Sequence, residues 1–413
     1  MYGKDTTKST FDQLFEAVTS FTQNLKEREV DKYIKKFSLL KFILLMSFTQ
    51  LNQLKSLRAI SGALDEENLA ELIELTSISA AQISRKLRSD LLGVTQELFA
   101  EIIRQAGINQ GFQRVRQELG RLYLIDSTVI SLCFSRYRWA DFRETKSGIK
   151  LHTRIRLLDG NTLPDKAVMS VARKADRTQM DELVVEDKDA FNVFDRAYLD
   201  YEKYDYYCEQ NIRFASRLKS NALVEILEEY PLDDEGAIIS DSKVILGKKN
   251  LTQMKNTLRI IKTTDSKGKI ITIVTNDFSL SAQEIADIYR YRWQIEIFFK
   301  WIKQHLHVKH FFGTGEQAVE LQLYIALITY CLLTLIKQKT GYTGTLLELK
   351  RCLCACLYEP FPCFVKKLYG KGKRQSRGRC KVFHERIFQE TLRQVIAGEA
   401  DHLDDLTYDP IVL

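Results

Sequence analysis

The sequence predicts two architectures in one chain: an all-helical module, then a mixed α/β domain. Three observations carry this. From about residue 10 to 115, apolar residues recur with the 3.6-residue period of helices, as in FSLLKFILLMSFTQL and TQELFAEIIRQA. Four short β-rich runs follow within about 75 residues: RLYLID, IKLHTRIRLLDG, KAVMSVAR and FNVFD. Helical patterns then return between further strands, the order of a sheet flanked by helices.

Within the helical module, Ser79 is placed to cap a short helix carrying Gln82, Ser84, Arg85, Lys86 and Arg88. That suits the second helix of a helix-turn-helix. The strands are expected at Arg121–Asp126, Ile149–Gly160, Lys166–Arg173 and Phe191–Asp195, with turns at Gly148, Gly160 and Asn161. A helix over Tyr201–Gln210 and a strand over Ile212–Ser220 come next. Residues 221–277 read as a small β-rich insertion ending in a hairpin, Thr257–Asp277, that turns around Ser266–Lys269. The run Leu323–Ile336 is short for a bilayer span and reads as a buried core helix. The domain boundaries expected are 1–115 for the helical module, 116–220 and 278–345 for the two parts of the α/β core, 221–277 for the insertion, and 346–413 for a helical and basic C-terminal region.

The chain has 413 residues and a formal charge of +7. Lys366–Lys381, KKLYGKGKRQSRGRCK, holds eight Lys or Arg and no acid, so the whole excess sits in one Gly-containing segment suited to phosphate backbones. The first residues, MYGKDTTKST, lack the apolar core of a signal peptide, which points to a cytoplasmic protein with no membrane role. Cys352, Cys354, Cys356, Cys363 and Cys380 cluster, but without C-x2-C pairs and on helical apolar spacing. Core thiols account for them better than zinc.

The segment Tyr289–Gln304, YRYRWQIEIFFKWIKQ, is expected to form one helix. On a wheel of about 100° per residue with Tyr289 at zero, Arg292, Glu296, Lys300 and Lys303 fall within roughly 60° of it. Tyr291, Ile295, Ile297, Phe298, Phe299, Trp301 and Ile302 cover the rest. Such a helix should be largely buried, with one charged strip facing something polar. An internal ion-pair ladder, Arg292 to Glu296 at i,i+4, is the plainer explanation of the strip.

Two strands deliver a carboxylate at or near their ends, Asp126 after LYLI and Asp195 after FNVF. Each alone suits a turn or a cap. With Glu296 they make three carboxylates, which cannot all stay ionised around one point without compensation. Hard divalent cations supply it, and a pair of them can activate a water at a phosphodiester.

The spacing Tyr289-x2-Arg292-x3-Glu296-x6-Lys303 resembles the Y-R-E-K signature of bacterial insertion-sequence transposases of insertion-sequence family four. LIDSTVI and VFDRAY resemble the segments around that family's first and second catalytic aspartates, and KSGIKLHT, FASRLKSNA and TNDFSLSAQEIADIYRYRW also look familial. The resemblance covers most of 116–345 and, loosely, the helical N-terminus. It implies a ribonuclease-H-like core with a β-rich insertion, and a triad Asp126, Asp195 and Glu296 binding two Mg²⁺ or Mn²⁺ ions. It implies DNA contacts from Tyr289, Arg292, Lys303 and the adjoining Lys300, with Arg217 a further candidate. His152 reads as a structural strand histidine. The partners implied are double-stranded DNA, at terminal inverted repeats and target, and a second copy in the synaptic complex. Relatives that cut through a DNA hairpin stack a flipped base on an insertion-domain tryptophan. Here 221–277 contains one aromatic residue, Tyr230, and no tryptophan. A nuclease without strand transfer and a non-catalytic DNA-binding derivative are the rival functions.

Overall fold

The computed structural model describes residues 8–25, 30–110, 121–158, 161–232, 237–264, 268–370 and 384–397. Seven helices come first: α1 (Thr10–Leu14), α2 (Glu16–Asn24), α3 (Leu39–Asn52), α4 (Leu57–Gly62), α5 (Glu67–Ile73), α6 (Ala80–Leu87) and α7 (Leu92–Gln110). Ser79 caps α6 as its sequence suggests: its hydroxyl accepts from the Gln82 N–H while the Gln82 side chain returns to the Ser79 backbone.

The strands are β1 (Arg121–Leu132), β2 (Asp141–Arg143), β3 (Lys146–Leu158), β4 (Asn161–Val171), β5 (Ala190–Phe194), β6 (Arg213–Arg217), β7 (Val224–Glu229), β8 (Ile238–Leu246), β9 (Leu258–Thr264) and β10 (Ile270–Thr275). Short α8 (Met180–Leu183) and α9 (Tyr201–Gln210) lie between them, and Asn211 ends α9 in the left-handed conformation. The chain continues through α10 (Ala282–Arg290), α11 (Trp293–His305), α12 (Glu316–Thr340), α13 (Leu346–Ala355) and α14 (Phe361–Leu368).

Among the described residues, all ten strands join one sheet. Its first part runs β4-β3-β1-β5-β6, with antiparallel pairs on the β3 side of β1 and parallel pairs from β1 to β5 to β6. This is a ribonuclease-H-like α/β core. Residues 221–277 continue the same sheet beyond β6, in the order β10-β9-β8-β7. The β9–β10 hairpin forms as the sequence suggests, although 265–267 at its turn lie outside the described residues. Gly148 was expected at a turn but sits inside β3. A Cβ there would meet the Ala172 Cβ at 3.3 Å and the Ile130 carbonyl at 3.4 Å, so close strand packing accounts for the glycine.

Two cores cover the sheet. On the front face, Leu122, Leu124, Ile149, Leu151, Ile155, Val193 and Ala215 pack with α10, α11, α12 and the N-terminal helices in one continuous cluster. On the back face, Ile125, Phe194 and Phe214 pack with Tyr204 and Tyr207 of α9. The run Leu323–Ile336 lies in α12, a 25-residue helix apolar and long enough to cross a membrane, yet mostly buried inside the protein. Cys356 is buried in the front core, with Cys352 and Cys354 packed against it, and Cys363 is exposed; Cys380 lies outside the described residues. The separate C-terminal unit, from Tyr369, contributes α15 (His384–Ala397), on which Phe388, Leu392 and Ile396 are exposed along one side. Most of the basic run Lys366–Lys381 falls outside the described residues; Lys366 and Lys367 end α14.

Candidate active site

Strand pairing builds the first half of the site. Ile125 of β1 is paired with Phe194 of β5, and Phe194 with Ser216 of β6. The next residue on each strand path is Asp126, Asp195 and Arg217, so these three lie in one row across neighbouring strands. Side chains alternate between faces with a period of two. Ile125 and Phe194 point to the back core, so Asp126 and Asp195 project to the front, under α11.

Glu296 lies in the first turn of α11. The expected single helix over Tyr289–Gln304 is instead two. Between α10 and α11, Tyr291 and Arg292 keep right-handed helical dihedrals, but the backbone bonds tighten to i→i−3: Tyr291 to Ile288, Arg292 to Tyr289, Gln294 to Tyr291 and Ile295 to Arg292. The tightened turn lets Arg292 reach two acids. Its Nη1 donates to Asp126 Oδ2 at 3.2 Å and its Nη2 to Glu296 Oε1 at 2.6 Å. The i,i+4 pair is therefore present, extended to Asp126 across the fold. Burial is also less complete than the wheel implied. Tyr291 (42 %) and Ile297 (46 %) are exposed beside Trp293 (59 %), because α11 is covered by the core on one side only.

Burial pushes the Asp126 carboxyl up to about 7; the Ser127 N–H, which donates to Asp126 Oδ1 at 2.8 Å, and Arg292 pull it down, while Asp195 and Glu296 push it up further. Burial opposes charge on Arg292, but Tyr289, Glu296 and Asp126 outweigh it and raise its pKa. Tyr289 is buried, with its phenol raised by that burial and its ring 5.9 Å from the Arg292 guanidinium carbon. Arg217 is close enough for its charge to act on Tyr289. Lys303 is half-buried and donates to the Val129 carbonyl at 2.9 Å; burial and then Lys309 lower its pKa. Lys300 is exposed. The buried Arg292 Nε has no hydrogen-bond partner among the described residues, a donor available to an incoming anion.

Sequence reasoning missed what lies directly behind. Asp176, in the turn after β4, accepts from the Ser127 hydroxyl at 2.8 Å and pairs with Lys150 at 3.1 Å. His152 is fully buried, with Nε2 2.8 Å from the Ser170 hydroxyl and Nδ1 3.6 Å from Asp176. It is a structural histidine, and burial lowers its pKa to about 4.

The donor set fits a hard divalent cation in chemistry: three carboxylates, one of them reluctant to ionise chiefly because it is buried. Among the described residues, no three ligand-type side chains already stand grouped for a metal ion. Arg292 supplies positive charge to Asp126 and Glu296, and a cation would compete with it for the same oxygens.

The fold is a ribonuclease-H-like α/β core, with Asp126 in β1 and Asp195 just after the neighbouring parallel strand β5. A family profile described as "Transposase DDE domain" matches residues 117–332, more than half of the chain, and the chain belongs to that family. A second profile, a domain of unknown function (DUF4372), matches residues 6–72. Among curated proteins, the "Probable transposase for insertion sequence element IS5377" of Geobacillus stearothermophilus is 29 % identical over 357 residues, which cover 81 % of this chain and 91 % of that relative. The "Putative transposase y4zB" of Sinorhizobium fredii is 30 % identical over 254 residues, covering 60 % and 69 % of the two chains. The chain is a bacterial insertion-sequence DDE transposase, an enzyme acting on DNA, and divalent-metal dependence belongs to its family. A solved piggyBac transposase synaptic complex with hairpin DNA is similar at a TM-score of 0.42 and 10 % identity, covering 94 % of this chain and 84 % of that one.

Proposed function

We propose that this transposase is a member of insertion-sequence family four that excises its element and joins it to target DNA. Asp126, Asp195 and Glu296 are its catalytic triad, holding two Mg²⁺ or Mn²⁺ ions. The observation that carries this reading is the row of Asp126 and Asp195 on adjacent parallel strands beneath the helix that bears Glu296. Bound ions would neutralise the carboxylates, activate water for the first cut, and activate the freed 3′ hydroxyl for the second displacement.

The chain's own residues orient the DNA. Tyr289, Arg292 and Lys303 bind phosphates beside the cut, joined by Lys300 and Arg217. Arg292 would exchange its acids for a phosphate once a cation neutralised them, and its unsatisfied Nε supports that role. The helices before residue 116 read the terminal inverted repeats, with the exposed Arg85 of α6 and Arg88 at its C-terminal cap facing DNA. Lys86 is excluded from that surface because it is buried 3.6 Å from Asp31. Two copies act in the synaptic complex, in the bacterial cytoplasm.

The test uses the DNA that flanks the gene. Full-length protein with Mg²⁺ should nick at the inverted repeats and join pre-cut ends to a plasmid. Cleavage without joining would reduce the reading to a nuclease, and binding without cleavage to a non-catalytic derivative. Arg85→Ala with Arg88→Ala should lose preference for the end in a competition gel shift; retained preference would move end recognition elsewhere.

A further inference from the structure

We infer that Asp176 is a positioning residue for the metal site, acting on Asp126 through the sheet from its opposite face; this rests on the triad reading above. Cross-strand neighbours share a face, and Ser127 is paired with His152 while Asp126 is paired with Thr153. Asp126 therefore faces α11, and Ser127 faces back with His152 and Lys150. Asp176 gathers this back face. Its Oδ1 accepts from the Ser127 hydroxyl, lies 3.1 Å from the Lys150 ammonium and 3.6 Å from His152 Nδ1, and His152 is held in turn by Ser170. Tyr198, fully buried on the turn that follows Asp195, lies within electrostatic reach of Asp126, Asp176 and Asp195 alike.

The link between faces is one residue. The Ser127 side chain is fixed by Asp176, and the Ser127 backbone N–H donates to Asp126 Oδ1 at 2.8 Å. A ligating carboxylate held by such a hydrogen bond keeps its orientation, and residues that orient ligands are typically worth about 10- to 100-fold in metal affinity or activity. Alternation of a strand lets one residue's side chain and backbone serve opposite faces. A purely structural role for the cluster would change melting temperature and leave the metal requirement where it was.

The experiment titrates Mn²⁺ into the full-length protein and follows free Mn²⁺ by electron paramagnetic resonance, beside thermal melts and a cleavage assay. Wild type is compared with Asp176→Asn, Ser127→Ala, Ser127→Thr and Asp126→Asn. Asp176→Asn and Ser127→Ala should each raise the half-saturating Mn²⁺ by about tenfold and lower cleavage chiefly at low Mn²⁺. Ser127→Thr keeps the hydroxyl and should restore the wild-type affinity. Unchanged Mn²⁺ affinity in folded Ser127→Ala and Asp176→Asn overturns the inference, as does a loss of cleavage that only follows the unfolded fraction. If Asp176→Asn does not fold, the Ser127 pair alone decides. Undiminished cleavage by Asp126→Asn would instead sink the triad reading, a failure distinct from that of the positioning role.

Discussion

The two faces of β1 make an instructive contrast. Each carries a polar cluster in an otherwise apolar setting, one residue apart in sequence. Behind the sheet, a single carboxylate, Asp176, is matched by Lys150, by a histidine and by a hydroxyl. In front, Arg292 is shared between Asp126 and Glu296, and Asp195 stands in the same row. A buried cluster with its charges balanced is stable scaffolding. In front, burial makes a carboxylate costly to charge, and the cost shows in the proton that Asp126 holds to about pH 7, with Asp195 and Glu296 adding a smaller push. A bound cation would offset that cost. The two clusters differ in their partners: Asp176 has an ammonium, an imidazole and a hydroxyl around it, whereas Asp126 and Glu296 share one guanidinium.

The strongest way to break this comparison is to remove the front acids. Asp126→Asn, Asp195→Asn and Glu296→Gln should each cost about 10³-fold or more in cleavage, roughly 4 kcal/mol of transition-state stabilisation, with melting temperatures near wild type. Near-normal cleavage by one of them removes that residue from the triad.

The pH dependence of stability sharpens it next. An unfolded chain loses the Asp126 proton near its ordinary value of 3.8, whereas the folded chain keeps it to about 7. Between those values the folded state binds the extra proton, so this group's stabilisation is full below 3.8 and is lost as pH rises to about 7, by up to about 4 kcal/mol. Melts of chelator-treated protein should show the decline, and Asp126→Asn should flatten it. A decline of equal size in that variant would assign the effect to other groups.

Arg292→Ala should separate the roles of this residue. Without DNA, Mn²⁺ affinity should rise about tenfold, roughly 1.4 kcal/mol, because the competing guanidinium is gone. Cleavage should fall nonetheless, for want of the phosphate contact. The metal-free variant should melt lower and regain its stability with Mn²⁺. Weaker Mn²⁺ binding would make Arg292 a support of the metal site rather than its rival. The smallest effects belong to Lys300 and Lys303. Replacing either with Ala should leave the melting temperature nearly unchanged and reduce the salt dependence of end binding by about one unit of log–log slope. An unchanged slope would take that lysine off the DNA path.

Much of this was legible in the sequence because local patterning and tertiary demands agree. Short apolar runs before Asp126 and Asp195 give strands, and adjacency brings the acids together; but β1 runs on to Leu132, paired with β3 throughout, so Asp126 lies mid-strand and only Asp195 stands at a strand end. Glu296 was reached through the resemblance of its spacing from Tyr289, Arg292 and Lys303 to a family signature, and it lies in the first turn of α11, paired with Arg292. The break at Tyr291 was not legible, since no Gly or Pro marks it and the dihedrals stay helical; it is a tightening of hydrogen bonds visible only in three dimensions. Asp176 was missed because ARKADRTQ has no periodicity and reads as a loop. One signal did point there: in IKLHTR, Lys150, His152 and Arg154 alternate with apolar residues on a strand that is paired on both sides. Such a polar face needs a buried countercharge, and Asp176 and Asp165 supply it.

The three front-face carboxylates are proposed to be the metal site. Iron-directed hydroxyl-radical cleavage tests it most directly, because Fe²⁺ in a Mg²⁺ site cuts the polypeptide close to where it is bound. With ascorbate and peroxide, the full-length protein should be cut near residues 126, 195 and 296. Excess Mg²⁺ should suppress those cuts, and Asp126→Asn should weaken all three together. Cuts confined to the cysteine segment 352–363, or front-face cuts that neither Mg²⁺ nor Asp126→Asn diminishes, would contradict the claim.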